Sequence, residues 1–280
     1  MTIAVCYLSP EGVVFGADST TTFSATSGHH FFNHAQKLFE VGSDSTLGLV
    51  TWGLAGLEDV SYRTLVARLA DSLRGAPPAD VRDVADRWIA EVWPVFSSMT
   101  AYARVNDLHR NANRNAQEDE EYHQLCTGLV AGFCLGGYCL PDRVSKAFEI
   151  VFDPLAPRPT PSEVAKNSHR WWGVPNIISR LIFGSDQNLR QAVLSSGHWS
   201  GTPAEFDKIV AEQALEHPIL PIREAVDFVH SCIRSTGKAM KFSNFPQVCG
   251  GAPEIAVITS DRSFRWVRHK TWDTAIEDGG

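Results

Sequence analysis

The chain has 280 residues, of which 44% are hydrophobic and 20% are charged. This balance is typical of a globular protein with a substantial core, and it excludes a largely disordered chain. Lys and Arg number 25 against 32 Asp and Glu, which leaves a formal net charge of -7. No basic stripe stands out at strand or helix spacing, so a nucleic-acid partner is disfavoured, because a phosphate backbone requires clustered cations.

The cysteines and the N-terminus indicate the cellular compartment. The six cysteines include no C-x-x-C pair, and several lie in apolar runs where Cys behaves as a small hydrophobic residue. The first residues lack the basic region of a signal peptide, and no apolar run reaches the ~18 residues of a membrane span. The sequence therefore predicts a cytoplasmic protein without a membrane partner.

The N-terminal part of the sequence predicts two β-hairpins. Residues 3–8 and 13–17 are β-prone, and Ser9-Pro10-Glu11-Gly12 joins them with Pro and Gly at positions typical of a type I turn. Residues 37–41 and 46–52 form a second pair of β-prone runs around a polar corner. The sequence thus begins with four predicted strands.

The pattern then changes to helical spacing. Leu65, Leu69 and Leu73 recur every four residues, and after a Pro-Pro break the apolar residues between Val81 and Val92 continue at helical intervals. Residues 106–124 are strongly polar and predict a solvated helix extension or loop. Two amphipathic helices and a polar segment are therefore expected.

Strands and helices alternate again in the C-terminal half. Residues 127–134 and 146–152 predict strands, followed by a proline-rich connection at 154–161. Thr202-Pro203-Ala204-Glu205 is a capping box that predicts a helix ending near His217, and a second helix is expected from Pro221. The last predicted strands are residues 254–259 and 264–267.

This order of elements predicts an α+β protein. Strands joined by hairpins pair antiparallel, and the helix pairs are expected to cover the outer faces of the sheets. No repeat or linker divides the chain, so residues 1–280 are interpreted as a single domain. Within it lie an atypical polar insertion around residues 100–125 and the proline-rich connection around residues 154–161.

Several short segments at the two ends of the chain resemble proteasome β-subunits and their bacterial proteasome-like relatives. They are Thr2-Ile-Ala-Val followed by Gly12-Val-Val-Phe-Gly-Ala-Asp18-Ser-Thr-Thr-Thr22, Lys37-Leu-Phe-Glu-Val41, Trp52-Gly-Leu-Ala-Gly56, Phe183-Gly-Ser185 and Cys249-Gly-Gly251 with Glu254-Ile-Ala-Val-Ile-Thr259. The middle of the chain carries no such match. The resemblance implies a four-layer α-β-β-α sandwich of two mostly antiparallel sheets, the N-terminal-nucleophile hydrolase type.

The resemblance also implies a catalytic residue. The family's nucleophile is an N-terminal threonine, and the matching residue is Thr2, exposed once Met1 is removed. An α-amino group has a pKa of ~7.7 to 8.0, so one residue would supply both the nucleophile and the base. The alternative interpretation is that Thr2 is merely a small second residue that permits methionine removal.

Four further residues carry roles that the resemblance implies. Lys37 would approach the Thr2 hydroxyl, and Asp18 would hold Lys37 in its charged form. Gly53 would donate its backbone N–H to an oxyanion hole, with Gly56 as a competing match. Ser185 would support the N-terminal amine. Each residue also has a purely structural interpretation. Lys37 would be a surface lysine, Asp18 would cap a turn, Gly53 would precede a helix and Ser185 would cap a helix.

The sequence departs from the family in one place. The family has an aspartate shortly before the segment matched by Cys249, whereas residues 243–248 here contain no acidic residue. Asn244 is a possible hydrogen-bonding substitute. This departure puts full activity in doubt.

The remaining reactive residues have weaker interpretations. His29, His30 and His34 invite a metal site, but without other ligands nearby they are interpreted as part of a polar loop. Cys6 and Cys249 carry thiols that could act as nucleophiles. Cys6 is interpreted instead as a core residue in the middle of a strand, and Cys249 as a turn residue. No metal and no cofactor are expected.

The sequence therefore predicts a threonine protease that cleaves peptide bonds in a peptide or an unfolded protein. Two alternatives stay open, a noncatalytic proteasome-like assembly subunit and an amidase that acts on a small molecule. The resemblance also implies a homo-oligomer, assembled as a ring or a spiral. Whether an ATP-dependent unfoldase serves it is left open.

Overall fold

A computed structural model describes residues 2–25, 28–215, 217–244 and 248–270 of the chain. The elements follow one another as β1 (Ile3–Ser9), β2 (Gly12–Ala17), β3 (Thr21–Ala25), β4 (Gly28–Phe32), β5 (Leu38–Glu40), β6 (Leu47–Gly53), α1 (Tyr62–Gly75), α2 (Val81–Ser97), α3 (Thr100–Arg110), α4 (Ala116–Gly128), β7 (Ala131–Gly137), β8 (Lys146–Phe152), β9 (Ser162–Glu163), β10 (Ser168–Gly173), α5 (Asn176–Phe183), α6 (Gln187–Ser195), α7 (Pro203–Ala211), α8 (Ile222–Lys241), β11 (Glu254–Thr259) and β12 (Arg262–Arg268). No helix in these ranges has the length and apolar character to cross a bilayer.

Two five-stranded sheets face each other. The first has the order β10-β1-β2-β11-β12 and the second the order β5-β6-β7-β8-β9, with neighbouring strands antiparallel. Strands β3 and β4 form a separate hairpin. Helix α8 packs on the first sheet and helices α1 and α2 on the second. The expected four-layer α-β-β-α sandwich is therefore confirmed.

Strand β1 shows why both sheets are buried on two faces. Its side chains alternate, with Ile3, Val5 and Tyr7 packed toward α8 and Ala4 and Cys6 packed toward the second sheet. Successive side chains of a strand point to opposite faces, so a strand between two apolar layers is apolar throughout. Burying each large apolar side chain stabilises the fold by roughly 1.5 to 3 kcal/mol.

Glycines let the layers approach closely at two points. A Cβ atom on Gly16 of β2 would lie 2.6 Å from side-chain atoms of Val229 and Ile233 on α8. A Cβ atom on Gly132 of β7 would lie 2.0 Å from the ring of Trp52. That ring stacks on Trp172 at a centroid distance of 4.3 Å and so joins the two sheets across the core.

Capping side chains mark the start of several helices. Ser61 Oγ accepts from the backbone N–H of Thr64 at the start of α1, and Thr202 with Glu205 forms the expected capping box of α7. The polar stretch at residues 106–124 covers the end of α3 and most of α4, and no residue of α4 is buried. The sequence predicted a solvated helix extension or loop; the stretch forms parts of two helices and is mostly solvated, with Leu108 buried.

Several expectations from the sequence are wrong. The strand expected at residues 127–134 begins only at Ala131, because residues 127–128 end α4, and the helix expected to reach His217 ends at Ala211. His29 and His30 lie in strand β4 rather than in a loop, since β4 pairs with β3. A basic stripe does exist, on α8, where helical periodicity aligns cations that are three or four residues apart.

Candidate active site

The N-terminus of β1 is anchored where three strands meet. The carbonyl of Thr2 accepts a hydrogen bond from the N–H of Val174 at 2.8 Å, just beyond the end of β10. Gly173 has φ +87°, and a Cβ atom there would lie 1.7 Å from the Thr2 carbonyl oxygen. Only glycine allows this approach, since other residues rarely adopt that conformation. Thr2 is held in place and is 4% exposed.

Asp18, the residue after β2, organises the surrounding backbone. Its Oδ1 accepts from the N–H of Ile3 at 3.1 Å, and its Oδ2 accepts from the N–H groups of Thr20 and Gly250 at 3.2 and 2.9 Å. The side chain is buried, and Asp18 as a whole is 1% exposed. Three backbone N–H donors therefore fix both carboxylate oxygens in a position almost inaccessible to solvent.

Lys37, the residue before β5, completes this network. Its Nζ donates to Asp18 Oδ1 at 2.7 Å and also to the carbonyl oxygen of Thr20. Lys37 is 6% exposed. Burial lowers the pKa of its ammonium group, whereas the charge and hydrogen bond of Asp18 oppose that effect. The pair is therefore a buried cation and carboxylate whose geometry is fixed by backbone contacts.

Gly53 ends strand β6 in a conformation that requires glycine. Its φ is +81°, and a Cβ atom would lie 2.1 Å from the carbonyl oxygen of Val130. That carbonyl accepts from the N–H of Leu54 at 2.8 Å, which fixes the turn after the strand. A Cβ atom on Gly56, in contrast, would have no described neighbour within 4 Å, so no close contact there requires a glycine.

Thr2, Lys37 and Gly53 line one cavity of about 250 Å³. Its wall also includes Thr21, Thr22, Thr51 and Trp52, and Gly56 is not among the lining residues. The Oγ1 of Thr22 is buried and has no hydrogen-bond partner among the described residues. None of these threonines was predicted as a site residue. For Thr21 and Thr22 the available signal was the run of three threonines at 20–22, which begins two residues after Asp18.

Two residues discussed from the sequence lie elsewhere. Ser185 is half-buried between α5 and α6 and does not line this cavity, and the capping residue of α6 is Asp186, whose side chain accepts from the N–H of Leu189. Asn244 is exposed. Neither side chain reaches the wall of the cavity. The remainder of the segment that lacks the family's aspartate, residues 245–247, lies outside the described residues.

The thiols and histidines do not form a second reactive centre in the described part of the chain. Cys249 is buried, and burial raises the pKa of its thiol to about 12, so it is protonated at neutral pH and is a poor nucleophile. His34 is exposed, and the side chains of His29 and His30 lie outside the described residues. No group of three potential metal ligands occurs among the residues described.

Known proteins match this chain by structure and not by sequence. No protein-family profile matches the chain, and no curated protein matches its sequence. Among solved structures, Anbu (ancestral beta-subunit) from Yersinia bercovieri is 12% identical, with 99% of this chain and 92% of that chain covered and a TM-score of 0.46. The chemical interpretation of the cavity therefore rests on its own residues.

Proposed function

We propose that the protein is an N-terminal-nucleophile hydrolase that cleaves peptide bonds with Thr2 after removal of Met1. One observation carries the proposal: Thr2, Lys37 and Gly53 line a single cavity, and Lys37 Nζ lies 2.7 Å from the buried Asp18 carboxylate. Acyl transfer requires a nucleophile, a nearby cation and a backbone N–H group for the oxyanion. In the proposed reaction Thr2, Lys37 and Gly53 supply these three groups.

The proposed reaction proceeds in two acyl-transfer steps. The neutral α-amine of Thr2 takes the proton of the Thr2 hydroxyl, and Oγ1 attacks the carbonyl carbon of the substrate. The carbon–nitrogen bond breaks, the leaving amine takes the proton back from the α-ammonium, and an ester on Thr2 remains. The amine then removes a proton from water, and the resulting hydroxide releases the acid and regenerates the hydroxyl.

The other residues act on charge that develops during the reaction. The Lys37 ammonium stabilises the alkoxide of Thr2, and Asp18 is a positioning residue that keeps Lys37 charged and oriented. The N–H of Gly53 donates to the oxyanion. The role of Ser185 in supporting the amine rests on the resemblance alone, because its side chain does not line the cavity.

Mutation of the nucleophile tests this function. Thr2→Ala should lower kcat/KM on fluorogenic peptides by more than about a thousandfold, and Lys37→Ala should lose nearly as much, because residues that act as a unit have non-additive effects. Thr2→Ser should retain partial activity, since the hydroxyl remains. The matched control is Thr127→Ala, an exposed threonine of α4, which should keep wild-type turnover.

Two measurements accompany the kinetics. The mass of the N-terminal peptide should show that Met1 is absent, and a β-lactone or boronate should modify Thr2. Circular dichroism should show that the variants are folded. Wild-type turnover by Thr2→Ala, or Met1 retained on essentially all soluble protein, would refute the peptidase. An inert wild type that lacks Met1 would favour the noncatalytic assembly subunit.

The size of the cavity favours a second candidate, an amidase for a small molecule. The cavity holds about 250 Å³, slightly less than the ~300 to 1,000 Å³ typical of ligand pockets. Such a volume accommodates one side chain or a short acyl group. A panel of small amides assayed beside the peptides separates the candidates, because hydrolysis confined to one small amide would favour the amidase.

We also propose that the chain assembles into a ring or spiral. Helices α5 to α7 and the loop that follows expose large apolar side chains, namely Leu181, Phe183, Leu189, Ile209 and Leu215. A cluster of exposed apolar residues is typical of an interaction surface. Light scattering should report a multiple of 30.8 kDa, whereas a monomer up to tens of micromolar would refute assembly.

A further inference from the structure

A second cavity, of about 290 Å³, lies between α8, the turn at residues 250–253 and the end of β12. It is lined by five basic side chains, His230, Arg234, Lys238, Lys241 and Arg268. We name these five residues the basic cluster. Asp18 is the one acidic residue in the described lining, and its carboxylate is bonded to Lys37. The cavity is therefore strongly positive in a chain whose net charge is -7.

The spacing of the cations on α8 destabilises α8 as an isolated helix. Arg234 and Lys238 are four residues apart on α8, Lys241 follows three residues later, and like charges at such intervals destabilise a helix. None of the four helical members forms an ion pair with a described residue. The unfavourable arrangement thus lacks a compensating partner in the described chain.

Stabilisation of the helix C-terminus explains only part of the cluster. Lys238 and Lys241 lie in the last turn of α8, where cations interact favourably with the helix dipole. Arg234 lies two turns from that end, where the effect has faded. Arg268 belongs to β12, a different element, and its guanidinium donates to His230 Nε2 at 3.3 Å. Charged side chains from α8 and from β12 therefore line the same cavity.

The surroundings of His230 shift the pKa of its imidazole. Burial, followed by the charges of Arg268 and Arg234, lowers the pKa of this histidine. Neutral His230 therefore accepts the hydrogen bond from Arg268 and helps to orient its guanidinium. The opposite wall packs against the helix at this point, since a Cβ atom on Gly237 would lie in ordinary van der Waals contact, 3.8 Å from the Cα of Gly250.

We propose that this cavity binds a small phosphate-bearing molecule through the basic cluster. Four cationic side chains, all of them exposed, line about 290 Å³, which favours a multivalent anion, and guanidinium groups match phosphate oxygens in a bidentate geometry. The volume suits a diphosphate or the phosphate end of a nucleotide, and it is too small for a nucleic-acid duplex to enter. The two cavities have no lining residue in common, but Asp18, which lines this one, bonds Lys37, which lines the cavity that contains Thr2.

Calorimetric titration of the full chain with pyrophosphate at low salt tests the proposal. The wild type should bind, and Arg234→Gln with Arg268→Gln should weaken binding by about tenfold or more for each charge-assisted hydrogen bond lost. Lys238→Gln changes one exposed residue and should weaken binding less. It keeps the proposal testable if the double variant, Arg234→Gln with Arg268→Gln, does not fold. Lys208→Gln, an exposed lysine of α7, is the matched control and should bind normally.

Further titrations identify the source of the phosphate and test the location. ADP binding more tightly than pyrophosphate would support a nucleotide, and the reverse order would support a free diphosphate. Thr2→Ala should bind pyrophosphate as the wild type does, so failure of the peptidase proposal leaves this result unaffected. The proposal is overturned by absence of binding at millimolar pyrophosphate, by tighter binding of citrate, by equal weakening in Lys208→Gln, or by loss of binding in Thr2→Ala.

Discussion

The buried pair of Asp18 and Lys37 should dominate the stability of the candidate site. Asp18 Oδ1 accepts from the N–H of Ile3 and from Lys37 Nζ, and Oδ2 accepts from the N–H groups of Thr20 and Gly250. In Asp18→Asn, an amide NH₂ group replaces one of these oxygens. In either orientation of the amide, two donors then face a donor instead of an acceptor.

The expected cost of Asp18→Asn follows from burial. Removing one partner of a buried ion pair costs about 3 to 5 kcal/mol, because the remaining charge loses its compensation. Lys37→Met should cost less, about 1.5 to 3 kcal/mol, since Asp18 keeps three backbone donors. In the double variant both charges are absent. Its cost should therefore be smaller than the sum of the single costs by at least about 1 kcal/mol.

Urea unfolding of the four proteins of this cycle measures the effect. At a slope near 3 kcal/mol per molar urea, Asp18→Asn should lower the midpoint by about 1 M. Arg82→Met, which removes an exposed partner of Asp86, is the control and should shift the midpoint little. If the cost of the double variant equals the sum of the costs of Asp18→Asn and Lys37→Met within about 0.5 kcal/mol, the coupling inferred from the structure is refuted.

Three further predictions concern stability. Gly173→Ala should cost about 2 kcal/mol or more in urea unfolding, because of the positive φ and the close Thr2 carbonyl, whereas Gly75→Ala, in open space, should not destabilise the protein. Burial, followed by a neighbouring histidine, lowers the pKa of His169 to about 4. The unfolded chain therefore binds a proton that the native protein does not between pH 6.5 and about 4, and stability should fall by about 1 to 2 kcal/mol as the pH falls through that window, after allowance for partial exposure of the ring. If the stability of His169→Phe fell with pH as steeply as that of the wild type, His169 would not be the origin of the pH dependence. Thr202→Ala should lower the thermal midpoint through loss of about 1 kcal/mol of capping, and a midpoint equal to that of the wild type would contradict the role of the capping box.

Local patterns determined most of the regular structure. The turn at Ser9-Pro10-Glu11-Gly12 and the β-prone runs on either side predicted β1 and β2. Helical spacing predicted α1, α2 and α8, and a capping box predicted α7. Each of these signals depends on residues within a few positions of one another. Period and turn chemistry are short-range properties, so a single sequence contains them.

The elements that were missed lack such local signals. Strand β10 contains Ser168, His169 and Arg170, and it acquires its strand structure by pairing with β1 along six residues. Helix α5 has only eight residues, too few to establish a helical period in the sequence. Strand β3 likewise depends on its pairing with β4. Tertiary contacts override weak local preference in each case.

The two cavities show most clearly what only the tertiary structure decided. The resemblance pointed to Thr2, Asp18, Lys37 and Gly53 one by one, but strand pairing brings Thr2, Lys37 and Gly53 to a common cavity and places Asp18 behind it. It leaves Ser185 outside the lining. The basic cluster likewise joins α8 to the end of β12, which comes much later in the chain. Charges so distant in sequence come together only because strands and helices pack in three dimensions, and no local pattern records that packing.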